Sequence, residues 1–410
     1  MSLLLAMAWR NVGRNRRRTA INLSAIAFAT LTMITISAIQ SGSYGQMIDG
    51  AVRMQSGHLQ VQAEGYLKDN DIALSVPHLE QVYAVVDRQP GVVGATGRIS
   101  TGILVAKAEE SFAAVVIGTD AVRERNTSNW PALVREGSFL DPADATGALL
   151  GGKLARTLAA KPGDELVILG QAANGSMAAA KIRVRGIIET GSPEIDRSAI
   201  IMNLAPLQEI MAMTDRVSSV VVLLAGYQLV SGTQAALERQ LRSVSPNLSV
   251  VSWKQLNPGV AQGIEMDNFS GKILVFILVL VVAFGILNTF LMGVIERYRE
   301  FGVMLAIGVK PATCAGTVLT ESQILTAGGF LAGLAVAAAI NGYLGIHGIP
   351  LSSAKEIYEQ YGLTGSIYPV LTIGTAFRVF LQVWFVTTLA ALYPSARIMR
   401  FRPVDALRSV

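Results

Sequence analysis

Four stretches of the chain, Ala20–Ile39, Ile273–Ile295, Thr313–Ile340 and Leu371–Leu392, run for about 20 residues or more with almost no charge. Crossing ~30 Å of hydrocarbon takes a helix of about that length, so each stretch predicts a transmembrane helix. The first is the richest in Ser and Thr and follows a run of arginines, as a secretory signal would. Its length exceeds the 7–15-residue apolar core of such signals and predicts a retained span. Between the first two spans, short apolar or alternating runs bounded by turn residues predict strands at His58–Gln62, Gly102–Ala106, Ala113–Ile117, Glu165–Leu169, Lys181–Ile188, Ala199–Met202, Ser219–Leu224 and Leu248–Ser252. Helical periodicity marks Leu79–Arg88 and Gln228–Ser243, each followed by a Pro-containing turn and a β-prone run. The pattern predicts an α-helical membrane protein with four transmembrane helices (TM1–TM4) plus a mixed α/β domain inserted between TM1 and TM2.

Charge orients the chain. Arg10, Arg14, Arg16, Arg17 and Arg18 precede the first span, Arg297, Arg299 and Lys310 follow the second, and Arg397, Arg400, Arg402 and Arg408 follow the fourth. The connection Asn341–Val370 holds only Lys355. By the positive-inside rule the basic segments are cytoplasmic and the α/β domain is extracytoplasmic. The predicted division is a cytoplasmic amphipathic segment 1–18, TM1 19–41, the extracytoplasmic domain 42–271 with an inserted lobe about 118–215, and TM2 272–295. A cytoplasmic loop 296–312, TM3 313–341, a short outer loop 342–370, TM4 371–393 and a cytoplasmic tail 394–410 complete it. The net charge of +5 is thus a topology signal. The basic cluster abuts a span and lacks interleaved aromatics, so anionic lipid rather than nucleic acid is its expected neighbour.

Little in the sequence points to catalysis. Gly147, Gly152 and Lys153 match the glycine and lysine positions of a phosphate-binding loop, but Leu154 stands where a magnesium-binding hydroxyl is needed. A turn leading into a short helix is the better reading. His58, His78 and His347 lack ligand-like spacing, and Cys314 is the only cysteine, so no metal site or disulfide framework is expected. Glu321 and Arg378 are the charges inside the later spans, each read as lying near its own interface or facing a protein groove.

The segment Glu296–Pro311 mixes charge with an apolar run too short to span. It predicts a short helix at the membrane surface, stopped by Gly308 and Pro311, with Glu296 and Glu300 on one face and Arg297 and Arg299 beside them. We read it as a docking element for a cytoplasmic partner. From Asn288 through Glu296-Arg297-Tyr298-Arg299-Glu300-Phe301-Gly302 to Ala306-Ile307-Gly308, the string resembles the signature of the FtsX-like, MacB-type (type VII) ABC transporter permeases, a group that includes the lipoprotein-releasing LolC/LolE subunits. The opening Ala8-Trp9-Arg10-Asn11-Val12 with Arg16-Arg17-Arg18-Thr19 is similar to that family's start. Tyr393-Pro394-Ser395-Ala396-Arg397 with Arg402-Pro403-Val404-Asp405-Ala406-Leu407-Arg408 is similar to its ending.

The resemblance implies a non-catalytic permease subunit of the bacterial inner membrane, with both termini cytoplasmic. It implies a second permease copy, identical or a paralogue, separate cytoplasmic ABC ATPases that bind the ATP, and no cofactor in this chain. Glu296, Arg297, Arg299, Glu300, Phe301, Gly302, Ala306 and Gly308 would form the helix that couples to the ATPase. Gly329 and Gly333, spaced as in GxxxG, would give the third span a close-packing face. Expected cargo is a lipoprotein lifted from the membrane and passed to a periplasmic carrier. The alternatives are MacB-like export of peptides or small molecules through an adaptor and outer-membrane channel, and an FtsX-like regulator of a cell-wall hydrolase.

Overall fold

A computed structural model describes residues 3–350 and 366–400. Lys355 and the tail motif Arg402–Arg408 lie outside the described residues. Eight helices of eight residues or more are present among the described residues: α1 (Leu3–Arg14), α2 (Arg16–Ala51), α3 (Leu79–Val86), α4 (Val230–Leu241), α5 (Pro258–Glu296), α6 (Tyr298–Ala306), α7 (Pro311–His347) and α8 (Ile373–Ile398). The fold divides into a helical unit, with chain boundaries at Ser43, Glu265–Pro350 and Ile367, and an α/β unit, Tyr44–Ile264.

In the helical unit α2, α5, α7 and α8 are each long and apolar enough to cross a membrane. Local chemistry sets several of their ends. Pro311 occupies the first turn of α7, where its missing N–H costs nothing, and Thr372 caps α8 by accepting from the Thr375 N–H at 3.2 Å. The core joins Ile26 and Met33 of α2, Phe290 of α5, Phe301 of α6, Leu325 of α7 and Val383 of α8. Polar contacts fix the pairing of α7 with α8: Thr326 bonds Thr387 at 2.9 Å and Gln323 bonds Thr388 at 3.0 Å. Phe330 meets Phe380 edge to face at 5.0 Å. Gly329 and Gly333 of α7 lie against α2. A Cβ at Gly329 would stand 2.7 Å from Ile26, and one at Gly333 2.7 Å from Thr30.

Twelve strands form in the α/β unit: β1 (Leu59–Ala63), β2 (Val76–Pro77), β3 (Val92–Lys107), β4 (Glu110–Thr119), β5 (Val134–Gly137), β6 (Gly147–Gly151), β7 (Glu165–Gln171), β8 (Met177–Ile188), β9 (Ala199–Asn203), β10 (Arg216–Val217), β11 (Ser219–Leu224) and β12 (Leu248–Ser252). Ten of them make one sheet in the order β12-β1-β11-β3-β4-β9-β6-β8-β5, with β7 bridging β3 and β8. The β4–β9 and β6–β8 pairs are parallel. The eight strands expected from the pattern all form. Both α–turn–β repeats also form, as α3 into β3 and α4 into β12, and Gln89 after α3 donates to Gln240 of α4 at 2.8 Å.

One expectation is corrected. The glycine-rich string is not a turn before a helix: Gly147–Gly151 is a fully buried strand, β6, entering the short helix Gly152–Thr157. Its glycines serve backbone packing, since a Cβ at Gly151 would stand 2.6 Å from the Ile195 carbonyl, and Leu154 is buried.

A buried ion pair holds the end of the first long helix onto this sheet. Beyond Ala51 the helix continues as one π-helical stretch, Val52–Ser56. Arg98 of β3 pairs with buried Glu124 at 2.5 Å, stacks 4.1 Å over Trp130 and donates to the Gln55 carbonyl at 2.5 Å. Trp130 Nε1 donates to the Met54 carbonyl at 2.7 Å. Two carbonyls at the π-stretch, of the kind a helix end leaves over, therefore receive donors, one from Arg98 of the sheet and one from Trp130 of a short helical turn beside it.

Candidate coupling site

The segment singled out by its sequence divides into two helices. Arg297, at φ −100° and ψ 14°, breaks the helical path between α5 and α6. Glu296 therefore ends α5, exposed, while Glu300 sits in the first turn of α6, half-buried. They do not share one continuous helix face, which corrects the expectation drawn from their four-residue spacing. At the other end Gly308 takes the left-handed region, φ +94°. There the Val309 N–H reaches the Met304 carbonyl at 3.0 Å and the Gly308 N–H reaches Leu305 at 3.1 Å. This paired closure needs a residue without a Cβ penalty at Gly308.

Two faces of α6 follow. Phe301 and Gly302 are buried in the helical core, and Arg297 lies 5.1 Å over the Phe301 ring. Arg299, Val303, Ala306, Ile307 and Gly308 are exposed, joined by Lys310. Eight residues proposed for one task thus separate into an inward group that fixes the helix and an outward group that is free to meet something else.

The inward group is tied by charge. Arg297 donates to Glu300 at 3.1 Å and to Glu321 of α7 at 3.0 Å. The Arg297 and Glu321 side chains are only 13% and 7% exposed. From the N-terminal helix, Arg14 also pairs with Glu300. Burial acts to raise the Glu300 pKa, but hydrogen bonds from Arg14 and Arg297 outweigh it and hold the carboxylate below its ordinary 4.5. A polar cavity of about 120 Å3 lies among these helices, lined by Asn11, Arg14, Arg18, Asn22, Arg297 and Glu321. Beside it Gly293 of α5 admits the Arg18 guanidinium, which its Cβ would displace.

Sequence reasoning missed Arg14, Arg18 and Glu321 as members of this site. A signal for Glu321 was present: a carboxylate inside an apolar span needs a partner. Arg378 does not join it and lines a separate groove formed with α2 and α5. The histidines are dispersed. His58 is buried beside β1, His78 is 3.7 Å from Asp215, and His347 stacks on Tyr343.

Comparison with known proteins gives two family matches. The MacB-like periplasmic core domain matches residues 19–244, and the FtsX-like permease C-terminal domain matches residues 272–403. Among curated proteins, the chain is similar to the lipoprotein-releasing system transmembrane protein LolC of Xylella fastidiosa, 24% identical over 99% of this chain and 98% of that one. It is also similar to the macrolide export ATP-binding/permease protein MacB of Nitrobacter winogradskyi, 24% identical over 96% of this chain but 58% of that one. Among solved structures, the periplasmic region of MacB from Actinobacillus actinomycetemcomitans matches with a TM-score of 0.37 at 13% identity, over 53% of this chain and 95% of that one. The chain belongs to the FtsX-like, MacB-type permeases of the type VII ABC transporters, a membrane family that works with cytoplasmic ABC ATPases.

Proposed function

We propose that this chain is the permease subunit of an inner-membrane ABC transporter that converts ATP hydrolysis by separate cytoplasmic ATPase subunits into motion of its α/β domain outside the membrane. In this reading the outward face of α6, with Arg299, Val303, Ala306 and Ile307, rests on the ATPase. The inward face, through Phe301 and Arg297, passes the force to the spans. The observation that carries it is this division of α6: one side locked by a buried ion pair, the other exposed and partly apolar. A dimer of permeases, with a second identical or paralogous copy, supplies the partner against which the domain moves.

Extraction of lipoproteins from the membrane is the favoured cargo reading, supported by the similarity to LolC along nearly the whole of both chains. Reconstitution with the cognate ATPase into proteoliposomes tests it. ATP-dependent release of a diacylated protein to a soluble carrier is the expected result. ATPase activity with no release, together with export of a peptide or small molecule through an adaptor, favours the second reading, supported by the similarity to MacB.

A further inference from the structure

Within the helical unit, α2, α5 and α8 enclose a groove of about 660 Å3. Its wall is apolar along Val275, Val279 and Ala283 of α5 and Val379, Val386 and Ala390 of α8. Most of its polar residues gather toward one end, Lys272 and Asn268 on α5, Gln40 and Ser37 on α2, and Thr375 and Arg378 near the start of α8, with Gln382 one turn further along α8. Among the described residues no Asp or Glu lines it. Lys272 lies 24 residues before the end of α5, about 36 Å along the helix. Arg378 lies 20 residues before the end of α8, about 30 Å. Both cations therefore sit a full hydrocarbon thickness from the C-terminal ends of their own helices. From Lys272 to Ala283 the wall descends about 16 Å, close to half that thickness. The groove is thus one leaflet deep, basic where headgroups lie and apolar where chains lie.

We propose that this groove binds an anionic glycerophospholipid of that leaflet, its phosphate held between Lys272 and Arg378 and an acyl chain laid along Val275, Val279 and Val386. Charge complementarity selects the occupant. Two cations with no lining carboxylate favour a net-negative headgroup over a zwitterionic one, and a bidentate guanidinium suits a phosphate. Gln40 and Asn268 supply polar contacts for the glycerol region. The proposal does not depend on which cargo the permease moves.

Native mass spectrometry of the full chain, exchanged into mixed micelles holding equal phosphatidylglycerol and phosphatidylcholine, reads the preference directly. At about fivefold per cation, two cations predict a preference of about 25-fold for phosphatidylglycerol. The double variant Lys272→Gln/Arg378→Gln should bind the two lipids equally, whereas Lys272→Arg/Arg378→Lys should keep the preference. The charge-conserving variant separates a lost site from a lost fold. Equal binding by the wild type overturns the proposal. So does a preference that survives the Gln double variant and disappears instead in Arg16→Gln/Arg17→Gln. Efficient disulfide cross-linking between two copies carrying Phe276→Cys in a Cys314→Ala background would show a second copy in the groove and overturn it as well.

Discussion

Arg297 and Glu321 form the contact on which the candidate coupling site turns, and a double-mutant cycle measures it. The two charges are 3.0 Å apart and nearly excluded from solvent. Removing one partner of such a pair costs about 3–5 kcal/mol, whereas replacing both by apolar residues of similar volume is often neutral. Arg297 keeps a second acceptor, Glu300 at 3.1 Å, which is 41% exposed. The loss from Glu321→Met therefore belongs at the lower end, about 3 kcal/mol. Arg297→Met strands Glu321 in the core and costs a similar amount. The double variant should be less destabilised than the sum of the singles, about 6 kcal/mol, by at least about 2–3 kcal/mol. Equilibrium unfolding of the full chain in mixed micelles, followed by tryptophan fluorescence, supplies the four free energies. Additivity within about 0.5 kcal/mol would refute the claim that these side chains act as one unit. A second readout separates stability from coupling: reconstituted with ATPase, the Glu321→Met variant should hydrolyse ATP while moving less cargo per ATP than wild type.

Three further outcomes follow from the structure. Burial pushes the His58 pKa down to about 4, so the folded protein holds it neutral while the unfolded chain, at 6.5, binds a proton. Stability is therefore full above pH 6.5 and falls as pH drops from there to about 4, by up to about 3 kcal/mol; a His58→Gln variant should flatten that part of the stability–pH curve, and an unchanged slope contradicts the assignment. Gly333→Leu would drive a side chain into Ala27 and Thr30 of α2, costing about 1–3 kcal/mol by overpacking, with thermal unfolding in detergent as the check and an unaltered midpoint as the contrary result. Glu124→Ala leaves Arg98 buried without its carboxylate, for about 3–5 kcal/mol, and hydrogen exchange should show lost protection at Val52–Ser56.

Much of this fold is legible because its signals are local. Ser219–Leu224 and Leu248–Ser252 read as strands from apolar runs between turn residues and form with those bounds. Length and lack of charge mark the stretches that become α2, α5, α7 and α8. Hydropathy does not report that α2 runs on to Ala51 or that α5 begins at Pro258, because a helix needs only its own backbone hydrogen bonds and continues where apolar residues stop. β6 was obscured for a different reason. Three glycines in Gly147–Gly152 look like a turn in one dimension, and only the approach of the Ile195 and Asp196 carbonyls explains why small residues are required in a strand there. The Arg297–Glu321 contact joins residues 24 apart in different helices, and no periodicity within either helix encodes it.

That distinction between local and distant signals bears on how α6 would transmit force in the proposed coupling role. A nine-residue helix is too short to be stable alone in water, since isolated helices below about 12–15 residues are marginal. Pushed on its outward face without support, it would unwind rather than move what lies behind it. Three features resist this: Phe301 is sealed in the core, Arg297 bonds Glu300 and Glu321 together, and Gly308 closes the last turn. Each acts at a different point, the first on the middle of the helix and the other two on its ends. The family-resembling string Glu296–Gly308 therefore carries two kinds of information at once. The residues that support the helix are tied to the rest of this chain, through Glu321, Arg14 and the core. Val303, Ala306 and Ile307 are exposed and bound by no such internal constraint, so under the proposed coupling role they are where the identity of an ATPase partner would be written without unfolding the helix.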